Sequence, residues 1–306
     1  MIPAVAKAQR VLTVAADGTG QFTTVQAAFD AIPYGNRKAV IVRVSNGVYH
    51  EKLVLDSTKN NVTLEGENRY QTILRCNDHT GKLSPNGDTI NTYTSQSVLI
   101  KADNFTAVNV SFENTAGFNA GQAVAVQAAG NYIVFRNCRF IGHQDVLFTP
   151  RPGTYQYYED CFIEGTTDFI FGAATVWFER CHINSRKNSH ITAASTPAAS
   201  RYGFIFNECV LTADTGLYNV SLGRPWRPHA ATIFMNSYIG PHIRPEGWSV
   251  WNKNDNHLTA RYAEFNNFGP SALPAKRLSW TKQLSSGDAK LITIQNVFGK
   301  WDPRCQ

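Results

Sequence analysis

The sequence predicts an all-β protein: a single-stranded parallel β-helix with an N-terminal capping helix. Three observations lead there. A short unit of the form aromatic-x-x-Cys-x-apolar recurs through the middle of the chain, as in Phe135-Arg136-Asn137-Cys138-Arg139-Phe140. Its spacings of 23, 20, 28 and 28 residues suit stacked coils with insertions at the turns. Long helical patterns are missing, which favours a β-solenoid over a sandwich, and the Leu/Asn signature of a leucine-rich repeat is absent.

The elements follow in order. Thr23-Thr24-Val25-Gln26 reads as a helix start, with Thr23 as N-cap and Gln26 in the capping-box position. Val25, Phe29 and Ile32 then form an apolar stripe and Pro33 ends it. A solenoid needs its open end covered, and this helix suits that task. Val62–Gly66 and Ala107–Phe112 fit the style of the later repeats. The clear units are centred on Cys138, Cys161, Cys181 and Cys209, with Ser237 in the same position of a fifth. The apolar residues two places on, Phe140, Ile163, Ile183, Leu211 and Ile239, should share the cysteine's face by strand alternation. From about residue 241 the repeat fades, and the tail is expected to pack along the solenoid's side.

Composition sets bounds. The chain has 306 residues, 43% hydrophobic and 17% charged, and carries a net charge of +6. That suits one large globular domain, expected over residues 1–306. The basic balance admits a polyanionic partner, but no nucleic-acid motif appears and the longest basic run is a doublet such as Arg186-Lys187. No apolar run is long enough for a membrane helix. The N-terminal segment lacks a signal-peptide core, so the chain is either cytosolic or recorded after signal removal. The six cysteines lack zinc spacing and are too few for a disulfide scaffold. They read as a column of small core residues, with a Cys161–Cys181 bridge left open for an oxidising compartment.

Chemistry concentrates in two of the repeats. Asp145 lies seven residues after Cys138 and Asp168 seven after Cys161, and Gly142 and Gly165 also match. Stacked coils would set the two carboxylates about 4.8 Å apart at the backbone. Two carboxylates so close do not both ionise cheaply, so one becomes an acid while the other stays an anion. Val146-Leu147-Phe148 and Phe169-Ile170-Phe171 would desolvate them. Arg224, on the stiff Gly223-Arg224-Pro225-Trp226 loop, offers a counter-cation.

Four blocks, Gln122–Val126, Gln144–Leu147, Asp168–Gly172 and Leu222–Trp226, resemble the signature blocks of pectin methylesterases, in family order. Gly47-Val48-Tyr49-His50-Glu51 resembles a fifth, and the similarity runs from about Val14 to Gly299. The resemblance implies a right-handed parallel β-helix and hydrolysis of galacturonate methyl esters in homogalacturonan, without metal or cofactor. It implies Asp168 as nucleophile, Asp145 as acid then base, Gln122 and Gln144 as oxyanion donors, and Arg224 as the partner of Asp168. Trp226, Trp248, Phe171, Phe148 and Thr92 resemble sugar-groove positions. It further implies a secreted, cell-wall or periplasmic monomer. Two departures stand out: Val146 where the family often has Thr, and Phe148 where it often has Tyr. A polygalacturonase or pectate lyase on the same fold is the first alternative, but the blocks of polygalacturonases are absent. A non-catalytic carbohydrate-binding solenoid is the second. A serine hydrolase finds no Gly-x-Ser-x-Gly elbow.

Overall fold

The computed structural model describes residues 10–305. Each full coil contributes one strand to each of three parallel sheets, of eleven, seven and eight strands, and the coils stack as a right-handed parallel β-helix. One full coil comprises Ile133–Arg136, Arg139–Ile141 and Leu147–Thr149. The next comprises Tyr155–Glu159, Phe162–Gly165 and Ile170–Gly172.

The repeat unit turns out to straddle a corner instead of forming one strand. Its aromatic residue is next to last in a strand of the eleven-strand sheet, and its cysteine precedes a strand of the eight-strand sheet. Between them sits a residue in the left-handed region: Asn109, Asn137, Asp160, Arg180, Glu208 and Asn236 have φ of 59°, 50°, 52°, 48°, 54° and 52°. Asn and Asp accept this conformation readily, whereas Arg180 and Glu208 bear a strain that the corner imposes. The stacked coils reinforce the bend, since Asn137 Nδ2 donates to Asn109 Oδ1 at 2.6 Å.

Coil-to-coil register then stacks like on like. The aromatic position forms an interior ladder, Phe135–Tyr158–Phe178–Phe206–Phe234, with centroids 4.9, 4.9, 4.4 and 4.2 Å apart. The +2 residues Phe140, Ile163, Ile183, Leu211 and Ile239 are buried as expected. Cys138, Cys161, Cys181 and Cys209 form a buried column of free thiols, so the Cys161–Cys181 bridge is not made. Each Sγ lies near backbone carbonyls instead, as Cys161 Sγ does at 3.3 Å from Glu159 O. Ser237 continues the column and accepts from Cys209 N–H at 3.0 Å.

The capping helix spans Val25–Asp30, and its N-cap is Thr24, not Thr23. The capping box is also absent, because Gln26 pairs with Val54 and Asp30. Glu51 takes its place: Oε1 accepts from Val25 N–H at 2.9 Å and Oε2 from Gln26 N–H at 3.0 Å. A carboxylate from the next coil thus satisfies the orphan donors and the helix dipole. The tail packs on the outer face as expected, with Ile294, Val297 and Phe298 against Val134, Tyr157, Trp177 and Ile205. It also extends the stack, since Arg261–Phe265 and Lys282–Gln283 add strands to the eleven-strand sheet.

Candidate active site

The two aspartates sit at the corner entering the seven-strand sheet. Leu147 pairs with Ile170 in register, so Asp145 and Asp168, each two residues earlier, stack on successive coils. Asp145 N–H donates to Thr167 O at 3.1 Å and Asp168 N–H to His190 O at 2.7 Å. Both have positive φ, 65° and 49°. The bend throws each carboxylate outward while Val146 and Phe169 enter the core. Gly165 is required beneath them, because a Cβ there would lie 2.3 Å from Phe169 Cβ and 2.8 Å from His143 O.

Both carboxylates are nearly buried, at 9% and 5% exposure, but their partners differ. Arg224 Nε donates to Asp168 Oδ1 at 3.1 Å and Nη2 to Oδ2 at 2.6 Å. Burial pushes the Asp168 carboxyl up, and this two-pronged contact pulls it only part of the way back, leaving it above its ordinary value. Among the described residues Asp145 has no such partner. Burial, and then the charge of Asp168, push it well above its ordinary value, with Arg224 opposing only at a distance. The pair is therefore unequal: Asp145 keeps its proton to higher pH than a free carboxyl does, and Asp168 is ion-paired. Arg224 is itself fixed by Trp251, whose ring centroid lies 4.1 Å from its guanidinium carbon.

An open cleft of ≈ 220 Å³ lies over the pair. Gln122 and Gln144 form a parallel bridge at its edge and both line it. Among the described residues neither side-chain amide has a protein partner, which leaves their N–H groups free for a ligand. Thr92, Phe171 and Trp226 line the cleft too. Phe148 lies behind it, 2% exposed and stacked on Phe171 at 4.3 Å, and so supports the wall from beneath. Trp248 does not reach the cleft, which corrects the expectation from sequence. It is fully buried, packs on Phe234 and Tyr262, and its Nε1–H donates to Glu264 at 3.0 Å.

Three lining residues escaped the sequence reading: Tyr93, Ala193 and Trp251. Tyr93 adjoins Thr92, and its ring meets Phe148 at 5.7 Å. Trp251 lies three residues beyond Trp248, and an irregular segment gives no periodicity to decide which of the two faces out.

The family model for pectinesterase matches residues 11–299. The chain belongs to the pectinesterase family. It is 34% identical over 285 residues to pectinesterase 31 of Arabidopsis thaliana, covering 92% of this chain and 89% of that protein. It is 36% identical to a pectinesterase of Petunia integrifolia, covering 88% of this chain and 73% of the relative. Other pectinesterases are longer, and the chain spans 51% of pectinesterase 5 of Arabidopsis thaliana. Among solved structures, carrot pectin methylesterase superposes with a TM-score of 0.86 at 31% identity, over 94% of this chain and 92% of that one. A pectin methylesterase in complex with a hexasaccharide superposes with a TM-score of 0.84 at 25% identity, over 95% and 98%. The right-handed parallel β-helix and the class of ester hydrolase expected of the sequence are those of this pectinesterase family.

Proposed function

We propose that this pectinesterase hydrolyses methyl esters of galacturonate units in homogalacturonan, as one catalytic domain acting as a monomer on cell-wall pectin outside the cytoplasm. The observation that carries the reading is the unequal pair: Asp168 gripped at both oxygens by Arg224, and Asp145 buried beside it with no cation of its own among the described residues. Asp168 attacks the ester carbonyl carbon, and the carbonyl oxygen becomes an oxyanion. Gln122 and Gln144 donate N–H bonds to that oxyanion. The tetrahedral intermediate collapses as Asp145 gives its proton to the methoxy oxygen, releasing methanol and leaving a mixed anhydride on Asp168. Asp145, now a carboxylate, takes a proton from water, which hydrolyses the anhydride. Galacturonate leaves and both aspartates return to their starting states.

The environment of each group supports its role. Arg224 keeps the nucleophile anionic and oriented, while burial keeps the acid protonated until it is needed. Phe171 and Trp226 give the cleft apolar faces against which a sugar ring can stack. The test is the product balance on methylated pectin. Methanol release without new reducing ends is expected, and new reducing ends would turn the assignment to glycosidic cleavage.

A further inference from the structure

The three sheets present three outer faces, and two of them are used. The C-terminal tail packs on the eleven-strand sheet, and the cleft lies over the seven-strand sheet. On the eight-strand sheet, register lines up Arg139, Phe162, His182, Val210, Tyr238 and Phe268 on successive coils. The adjacent residues Phe140, Ile163, Ile183, Leu211 and Ile239 belong to the core, so alternation turns this row outward. Its solvent face is open, with Val210 42% and Phe268 57% exposed. The row runs from Arg139 to Phe268 along the stack, about 24 Å at about 4.8 Å per coil.

The row is aromatic where a solvated strand face is ordinarily polar. Phe162 meets His182 edge-on with centroids 5.1 Å apart, and Tyr238 meets Phe268 at 5.8 Å. Tyr70, exposed beside the row, extends it. The guanidinium carbons of Arg69 and Arg139 lie 4.9 and 5.1 Å from its ring centroid, and Arg139 lies 5.8 Å from that of Phe162. A stripe of exposed rings interleaved with arginine marks a contact surface. Among the described residues neither guanidinium has a carboxylate within ion-pair distance. Arg69 Nη1 donates to Asn137 Oδ1 at 2.6 Å, and Arg139 Nη1 to Ser111 Oγ at 3.1 Å. Two carboxylates stand on the neighbouring row. Glu164 is held by Arg186 at 3.4 Å and by Asn184, and Glu113 is in register with Arg75 and Ile141.

We propose that the outer face of the eight-strand sheet is a second, non-catalytic binding surface for de-esterified homogalacturonan, tethering the enzyme to the polysaccharide while the cleft works on another stretch. The inference rests on the pectin reading of the cleft. A polyuronate repeats the two features that the row matches: carboxylates for guanidinium groups that lack an acid, and apolar pyranose faces for exposed rings. The net charge of +6 adds a general attraction to the same polyanion, whereas a second copy of this chain would bring like charge against like. A second contact on one polymer raises apparent affinity through effective concentration, and it requires a chain long enough to reach both faces.

The experiment measures Kd for de-esterified polygalacturonate, and kcat/KM on a methylated hexagalacturonate, for wild type, Arg139→Gln and Tyr70→Ser. The short oligosaccharide reads the cleft and the folded fraction alone. Each variant should weaken polymer binding about fivefold and leave the oligosaccharide within about twofold of wild type. A polymer Kd within about twofold of wild type in either variant overturns the proposal, and so does a matching loss on the oligosaccharide. Polyglutamate, which has the charge without the sugar ring, should bind Tyr70→Ser as it binds wild type, and an equal loss there would make the face a general polyanion site and overturn the proposal. A concentration-dependent dimer in sedimentation that both variants abolish would give the face to a second copy and overturn it too. No methanol from wild type would overturn the esterase reading alone, because the Kd comparison does not depend on turnover.

Discussion

At the scale of single residues, the site depends on giving two identical side chains different neighbours. Asp145 and Asp168 share a corner, a register and a positive φ, and differ in one contact, the guanidinium of Arg224. That difference has a consequence for stability. Asp145 is raised above its ordinary value of 3.8, so the native state holds its proton to higher pH than the unfolded chain does. Below the ordinary value both states are protonated and burial costs little. As pH rises through it the unfolded chain ionises first, and native stability falls until the raised value is passed. Asp145→Asn, which tolerates the same φ, should therefore raise Tm at about pH 7, and the gain should vanish at about pH 3. Equal shifts at both pH values would show that the carboxyl is not desolvated. The amides make a second prediction. Gln122→Leu should lower kcat roughly 100-fold with little change in KM, since the oxyanion exists only beyond the ground state. A change confined to KM would make Gln122 a substrate grip.

At the scale of elements, the stack is held by ladders and closed by a cap. Glu51 joins the two, reaching from the edge of one coil to the N-terminus of the helix Val25–Asp30. Glu51→Ala should destabilise the fold by about 1–2 kcal/mol in denaturant melts while kcat is unchanged, because Glu51 does not line the cleft. A loss below about 0.3 kcal/mol would mean that Thr24 alone caps the helix. The repeats were legible because the same side chains recur where the same packing is needed, from Phe135 to Phe234. The corner inside each unit was not, since backbone handedness is shared there by Asn137, Asp160, Arg180 and Glu208, which have no side-chain chemistry in common. The cap was misread by one residue because Thr23 and Thr24 are locally equivalent, and the first turn is also capped by Glu51, 25 residues beyond Gln26.

At the scale of the whole molecule, the core and the site are two faces of one stack. The same register that piles Cys138, Cys161, Cys181 and Cys209 inside piles Asp145 on Asp168 outside. The column predicts a thiol pattern: without reductant, a thiol reagent should reach exposed Cys305 in the native protein and these four only on global unfolding. Rapid reaction of all six would show that the coils open locally. The cleft was legible where residues lie in or beside the repeats, as with Gln122, Phe171, Arg224 and Trp226. Along the irregular segment after Gly240, outward direction depends on long-range packing, so Trp248 was chosen where Trp251 lines the cleft. The central claim is that Asp168 performs the attack. Its most direct test is methanol release from methylated pectin by Asp168→Asn, which keeps the positive φ that Ala would strain. The account predicts a fall of at least about a thousandfold with the circular dichroism of wild type, whereas activity within about tenfold of wild type would contradict it.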